Sequence, residues 1–316
     1  MDRILLVYNP NSSKYCRVKR EILDHPELFA GQTVSHHTIK KAPFEVNVTA
    51  TEKAIKDGDL VLALGGDATA SVCANAILNS GKDATLAVLP YGNFNDLART
   101  LGTMKLQDLG QCDARKAIPA DYLYPLQIFI DGKFWRYATC YVTIGMTAEA
   151  VELFDDPKFR TYMQKGGKSS WRSYLQLAKW YFKHRHDKQF IPEFTLNGHK
   201  TKPGISDYAA VNGRSMCRVM KGGDDYEKPK VFRSENCRLI SFPRLFNLMA
   251  KSILFRTPGT PTTRDVLEFK QPATVELQAE GEYQTFEGIK TIEVKKGGPA
   301  LKVIQHRRKG NHHASR

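Results

Sequence analysis

The apolar residues of the N-terminal part of the chain fall in short unbroken runs, each ending in a polar turn. RILLVY runs into NPNSSK, DLVLALGG into DATA, and TLAVLPYG into NFND. Runs without polar alternation predict strands covered on both faces, as in a parallel sheet. Between them the period changes to that of a helix. TATEKAIKDG predicts a helix stopped by Gly58, and DATASVCANAILNSG a second, with Val72, Ala76 and Ile77 on one face. Asp67 or Thr69 is the candidate cap of that helix, and Gly81 stands past its end. NDLARTLG predicts a short helix capped by Asn95 and stopped at Gly102. Strands alternating with helices imply crossover connections and parallel pairing.

From about residue 124 the pattern turns to hairpins. YPLQIFIDGKFWRYATCYVTIG reads as strands around a DGK turn, and FIPEFTLNGHK as a second hairpin around Asn197-Gly198. SSWRSYLQLAKWYFKHRH reads as a helix with Trp171, Tyr174, Leu175 and Ala178 on one stripe. The stretch from TVELQAEGEYQTF onward is β-rich, and the basic tail QHRRKGNHHASR has the composition of a disordered end. The expected fold class is α/β, a parallel-sheet domain followed by an antiparallel β domain.

Composition narrows the function. With 41% hydrophobic and 25% charged residues, the 316-residue chain can bury a core. Its net charge of +14, from 47 Lys and Arg against 33 Asp and Glu, favours an anionic partner. No apolar run reaches the ~18 residues of a membrane span. The apolar start of MDRILLVYNP is cut short by Asn-Pro, unlike a signal peptide, so a cytoplasmic chain is expected. The six cysteines are widely spaced and suggest neither a zinc site nor a disulfide framework.

Three polar loops follow the predicted strands: Asn9 to Lys14, Gly65 to Thr69, and Gly92 to Asp96. In parallel sheets, ligands bind beyond the carboxyl ends of the strands. Glycines there let phosphate oxygens reach backbone N–H groups, and a helix starting at the same place adds its dipole. A carboxylate such as Asp67 can hold magnesium or orient a hydroxyl. Each loop taken alone reads first as a turn with an ordinary helix cap.

The ordered set NPNSS, GGDAT and PYGNFNDLAR resembles the diacylglycerol kinase catalytic family, which includes sphingosine, ceramide and small bacterial lipid kinases. TIGMTAEAV, AAVNG and LQAEGE continue the resemblance, which runs from Ile4 to Ile304. It implies an N-terminal nucleotide domain like those of NAD kinase and phosphofructokinase, with a β-sandwich domain inserted before a returning last strand. The expected boundaries are 1–124 with 296–316, and 125–295. It further implies transfer of the ATP γ-phosphoryl group to a lipid hydroxyl with Mg2+. By position, Asn9, Ser12, Ser13, Lys14, Thr38, Gly65, Gly66, Asp67, Thr69, Gly92, Asn93, Asn95 and Asp96 would form the nucleotide site. Glu282 would be the general base, with Glu280 and Asp96 supporting it or the metal, and Asp67 would belong to the catalytic set. Glu280 and Glu282 without the resemblance read as two solvated acids on a strand edge.

Three family glycines are replaced, by Ser13, Ala68 and Phe94, and the first acid of the family's Asp-Gly-Glu is Glu280. A left-handed Ala68 would cost roughly 1–2 kcal/mol. These changes leave open a catalytically weakened nucleotide- or lipid-binding protein. The stretch FRSENCRLI lacks the acids of the structural magnesium site of some members, so no metal ligands are assigned. The expected partner is a lipid at an anionic membrane surface, reached through a basic, aromatic stretch with Lys165, Lys168, Arg172, Lys179, Lys183 and Arg185; a solvated helix face is the alternative. Nothing beyond charge suggests nucleic acid. A homodimer through a sheet edge is an open reading.

Overall fold

Leu60–Gly65, the apolar run LVLALG, is buried at every residue, and the first sheet is built around it. A computed structural model of the chain describes residues 3–12, 14–92, 95–104, 120–149, 179, 191–201, 205–213, 215–216, 220–221, 230–235 and 260–304. The chain divides into two units, Met1–Leu123 with Ala300–Arg316, and Tyr124–Pro299.

The first unit runs β1 (Arg3–Tyr8), α1 (Tyr15–Val18), β2 (Thr33–Thr38), α2 (Phe44–Ala54), β3 (Leu60–Gly65), α3 (Asp67–Ser80), β4 (Thr85–Pro90), α4 (Asp96–Thr100) and β5 (Ala120–Leu123). The second contributes β6 (Leu126–Ile130), β7 (Lys133–Ala138), β8 (Tyr141–Gly145), β9 (Phe194–Leu196), β10 (His199–Lys200) and β11 (Ile205–Val211). It continues through β12 (Ser215–Met216), β13 (Met220–Lys221), β14 (Lys230–Glu235), β15 (Thr260–Pro261), β16 (Arg264–Ala279) and β17 (Glu282–Lys296). Last, β18 (Leu301–Ile304) returns to the first sheet.

Among the described residues the first sheet has the order β2-β1-β3-β4-β18-β5. Its strands are parallel except β5, which is antiparallel to β18. The expected α/β architecture is therefore present, with one antiparallel edge. The sequence pattern missed β2, TVSHHT, because an edge strand with half-exposed faces carries no apolar run. The helix expected over TATEKAIKDG starts earlier, at Phe44, directly after Pro43. Asn47 secures that start by accepting from the Lys40 amide at 3.0 Å and donating to the Lys40 and Ala42 carbonyls at 3.1 Å each. The helix ends at Ala54 rather than Gly58, because Ile55 is extended and buried.

A buried ion pair ties β1 to the turn before β3. Arg3 Nε donates to Asp59 Oδ1 at 2.9 Å and Arg3 Nη2 to Asp59 Oδ2 at 2.5 Å. Arg3 Nη2 also donates to the Ala54 carbonyl at 2.7 Å, and the Lys56 amide to Asp59 Oδ2 at 2.7 Å. Asp59 is 1% exposed, so it depends on these donors in place of water. The bond to Asp59 holds the Arg3 pKa above its usual value against the opposing effect of burial.

Among the described residues every strand pair of the second unit is antiparallel, as expected of the β domain. Its main sheet follows the path β15-β14-β11-β8-β16-β17-β6-β7, with β9 and β10 attached at β16. The Asp131-Gly132 and Asn197-Gly198 turns form where the sequence predicts hairpins, each with both residues at positive φ. One detail differs: β8 pairs with β11 and β16 rather than continuing the β6–β7 hairpin. The predicted aromatic helix lies outside the described residues, apart from Lys179. Among the described residues, no helix is long and apolar enough to cross a membrane.

Removing one partner of the Arg3–Asp59 pair strands the other. Asp59→Ala is expected to destabilise the chain by about 3–5 kcal/mol, measured as a lower urea midpoint at unchanged slope. A loss under 1 kcal/mol would show that the pair contributes little.

Candidate active site

The path of the first sheet creates the site. From β1 the chain moves outward to β2, then returns to pair β3 on the opposite side of β1. The point between β1 and β3 is thus a topological switch, the place where parallel sheets bind ligands. The loops after β1, β3 and β4 come from three neighbouring strands. Thr38, the last residue of β2, pairs with Tyr8 and is exposed beside them.

Two of these loops touch through bare backbone. A Cβ on Gly92 would lie 2.2 Å from the Gly66 Cα and 3.1 Å from the Gly66 nitrogen. A Cβ on Gly66 would lie 3.1 Å from the Gly92 Cα. Gly65 is constrained separately, since a Cβ there would meet the Thr69 hydroxyl at 2.4 Å.

Side chains then lock the contact. Asn95 sits in the left-handed region at φ 54° and folds back on its own loop. Its Oδ1 accepts from the Gly92 amide at 2.7 Å and its Nδ2 donates to the Gly92 carbonyl at 2.9 Å. Asn95 stands at the N-cap of α4, as predicted, but its side chain serves Gly92 instead of the helix. Lys14 Nζ reaches the same carbonyl from the first loop, at 2.6 Å. Tyr91 adds a second link, donating its hydroxyl to Glu21 Oε2 at 3.0 Å, while Arg17 donates to Glu21 Oε1 at 2.8 Å. Burial, then the bond to Glu21, pushes the Tyr91 hydroxyl up to about 12. The Arg17 bond to Glu21 holds that carboxyl below its usual range.

At the start of α3 the N-cap is Gly66, with no side-chain cap. The predicted caps are not caps: Asp67 is the first helical residue, and Thr69 is buried within the first turn. Ala68 is likewise helical and is not among the positive-φ residues, so the strain expected from losing the family glycine does not arise. In the first loop the Asn11 amide donates to Asn9 Oδ1 at 2.8 Å, closing an Asx turn. Ser12 Oγ is buried and has no hydrogen-bond partner among the described residues.

Asp67 reaches across to α4 and accepts from the Leu97 amide at 3.2 Å. Burial and then the neighbouring Asp96 charge push its pKa from the ordinary 3.8 up to about 6, against the Leu97 and Asp96 amides and Arg99. Asp96 is fully buried and accepts from Arg99 Nη2. Two carboxylates beside an uncapped 14-residue helix suit a cation shared with phosphate oxygens. Among the described residues no cluster of three or more His, Cys, Asp or Glu side chains is placed to hold a metal by itself.

Within the second unit the predicted acids lie at one hairpin turn. Ala279 pairs with Glu282, so Glu280 and Gly281 are a two-residue loop, with φ 55° and 92°. Glu282 is half-buried at the first position of β17. Glu280 is only 2% exposed. Its Oε1 accepts from the Thr139 hydroxyl and, at 2.5 Å, from the Cys140 amide. The alternative reading of Glu280, a solvated strand-edge acid, is therefore excluded, because the loop turns its side chain inward. Ser13, Asn93 and Phe94 lie outside the described residues. No local pattern marks Tyr91, Thr139 or Cys140, whose roles come from long-range contacts.

Residues 3–122 match the family model described as the diacylglycerol kinase catalytic domain. Over these residues the chain is similar to the diacylglycerol kinase catalytic domain. The "Diacylglycerol kinase" of Bacillus subtilis (strain 168) is 33% identical over 104 residues, 32% of this chain and 34% of that protein. The protein of the same name from Staphylococcus epidermidis (strain ATCC 12228 / FDA PCI 1200) is 30% identical over 135 residues, 41% of this chain and 36% of that one. The chain thus spans about a third of the length of the curated relatives it matches. A crystal structure of a diacylglycerol kinase from Bacillus anthracis str. Sterne has the same fold, with a TM-score of 0.61 at 14% identity. That likeness covers 96% of this chain and 97% of the other. The family match covers the three loops of the first unit, and the fold likeness extends over both units.

Two outcomes are expected of these loops. Gly92→Ala forces the Gly66 backbone away and should cost about 1–3 kcal/mol; an unchanged urea midpoint would contradict the contact. Asp67 has a raised folded pKa, so its contribution to stability is fully present below pH 3.8 and lost as pH rises through about 6. The loss is on the order of 3 kcal/mol. Asp67→Asn should remove this part of the pH dependence, and an identical pH–stability curve would contradict the assignment.

Proposed function

We propose that the chain transfers the γ-phosphoryl group of ATP, as its magnesium complex, to the hydroxyl of a lipid. The observation that carries this reading is the pairing of the uncapped α3 terminus with the half-buried Asp67 at the β1–β3 switch point. The Asp67, Ala68 and Thr69 amides of the first turn suit polyphosphate oxygens, and Ser12 Oγ, buried without a partner, suits one more. Asn9 and Lys14 shape the first loop around them, and Thr38 borders it. Gly92 contributes close approach, since Asn95 already holds its amide.

Magnesium would be held by Asp67, with Asp96 behind it and phosphate oxygens completing the shell, and when bound it would neutralise charge on the transferring group. A site raised to about 6 is mostly ionised at neutral pH, so Asp67 can serve this purpose. Phosphoryl transfer otherwise demands positioning and a group to take the hydroxyl proton. Glu282, half-buried at the head of β17, is assigned that role. The acceptor is diacylglycerol-like or sphingoid-like, met at an anionic membrane surface by a basic chain of net charge +14.

The helical fit of Ala68 removes one ground for a weakened, binding-only protein. Transfer of labelled γ-phosphate from ATP and Mg2+ to a panel of diacylglycerol and sphingoid lipids tests the reading. Glu282→Gln should lower kcat about 100-fold or more, with KM for ATP little changed. Activity surviving that change would remove Glu282 as base, and nucleotide binding without turnover on any lipid would favour the binding-only alternative.

A further inference from the structure

Glu280 occupies a place in the backbone that glutamate disfavours. The first residue of a two-residue hairpin loop with positive φ at both positions is ordinarily Asn, Asp or Gly. A glutamate there keeps its left-handed backbone only if the surroundings over-determine it. The surroundings are a buried polar network drawing on four distant segments of the second unit. Thr139 and Cys140, which link β7 to β8, donate a hydroxyl and an amide to Glu280 Oε1. Asn212, just past β11, holds those two residues in turn. Its amide donates to the Cys140 carbonyl at 2.6 Å, and its Nδ2 to the Thr139 carbonyl at 2.9 Å. The same Nδ2 donates to the Tyr124 carbonyl at 3.0 Å. Thr139 is 0% exposed, and Cys140, Asn212 and Glu280 are buried, so each bond is made away from competing water.

We infer that Thr139 and Asn212 are positioning residues that act through Glu280 to aim Glu282. The inference rests on the reading of Glu282 as the base. Glu280 is separated from Glu282 by Gly281 alone, so a rotation of the Glu280 peptide swings the head of β17. The Glu280 carboxylate is an anchor directed into the unit, and the proton-accepting role falls to Glu282 alone. A base displaced by about 1 Å loses rate on the order of 100-fold, so the anchor is a catalytic requirement.

The test compares Thr139→Val, Thr139→Ser and Glu282→Gln in the full chain, by kcat, KM for ATP, the pH profile of kcat, and hydrogen exchange of the 280–282 amides. Thr139→Val keeps the shape and removes the hydroxyl. It should lower kcat roughly 10- to 100-fold at unchanged KM for ATP, shift the acidic limb of the profile, and speed exchange at the turn. Thr139→Ser should restore all three. If Glu282→Gln is inactive while Thr139→Val matches the wild type, the positioning role fails and the base assignment stands. If Glu282→Gln remains active, both fail together. Exchange at the turn unaltered in Thr139→Val would overturn the anchor whatever the activities are.

Discussion

The first unit depends on two α-carbons that carry no side chains. Gly66 and Gly92 bring the loops after β3 and β4 into backbone contact, and any Cβ on Gly92 would fall 2.2 Å from its neighbour. That contact leaves α3 with a glycine N-cap and carries Asp67 toward α4, whose Leu97 amide it accepts. Lys14, Asn95 and Tyr91 draw the surrounding chain onto the same point. Much of what a phosphate would need, open amides and a nearby carboxylate, follows from the absence of two methyl groups.

The buried carboxylates divide by the company they keep. Asp59 faces a guanidinium and the Lys56 amide and serves as a structural ion pair. Asp265, 0% exposed, accepts from the Tyr208 hydroxyl at 3.0 Å and Asn197 Nδ2 at 2.8 Å, knitting β11, β16 and the Asn197 turn together. Asp67 faces another acid and is pushed upward to about 6. A carboxylate raised by burial and a like charge, at a switch point of the sheet, is the pattern of a functional group, whereas the first two are satisfied where they stand.

The order of sheets and the three loops were legible because they are local. Apolar runs such as LVLALG and the turn pairs Asp131-Gly132 and Asn197-Gly198 carry their structure in adjacent residues. Thr33–Thr38 did not, since an edge strand has only one pairing neighbour and a polar outer face. The side-chain roles were less legible still. Asn95 looked like a helix cap and grips Gly92; Asp67 looked like the cap of its own helix and bonds to the next one. Glu280, which without the family resemblance reads as a surface acid, points inward to Thr139 and Cys140, 140 residues away from the latter in sequence. In each case the deciding partner lies outside any window that periodicity can scan.

The most direct test of the open helix terminus is an amide NMR titration of the chain with the magnesium complex of a non-hydrolysable ATP analogue. The account predicts that the largest shift changes fall on residues 66–69 and on Ser12, with an Asp67 carboxyl resonance whose midpoint moves below 6. Unmoved amides at 66–69 alongside saturable nucleotide binding elsewhere would contradict it.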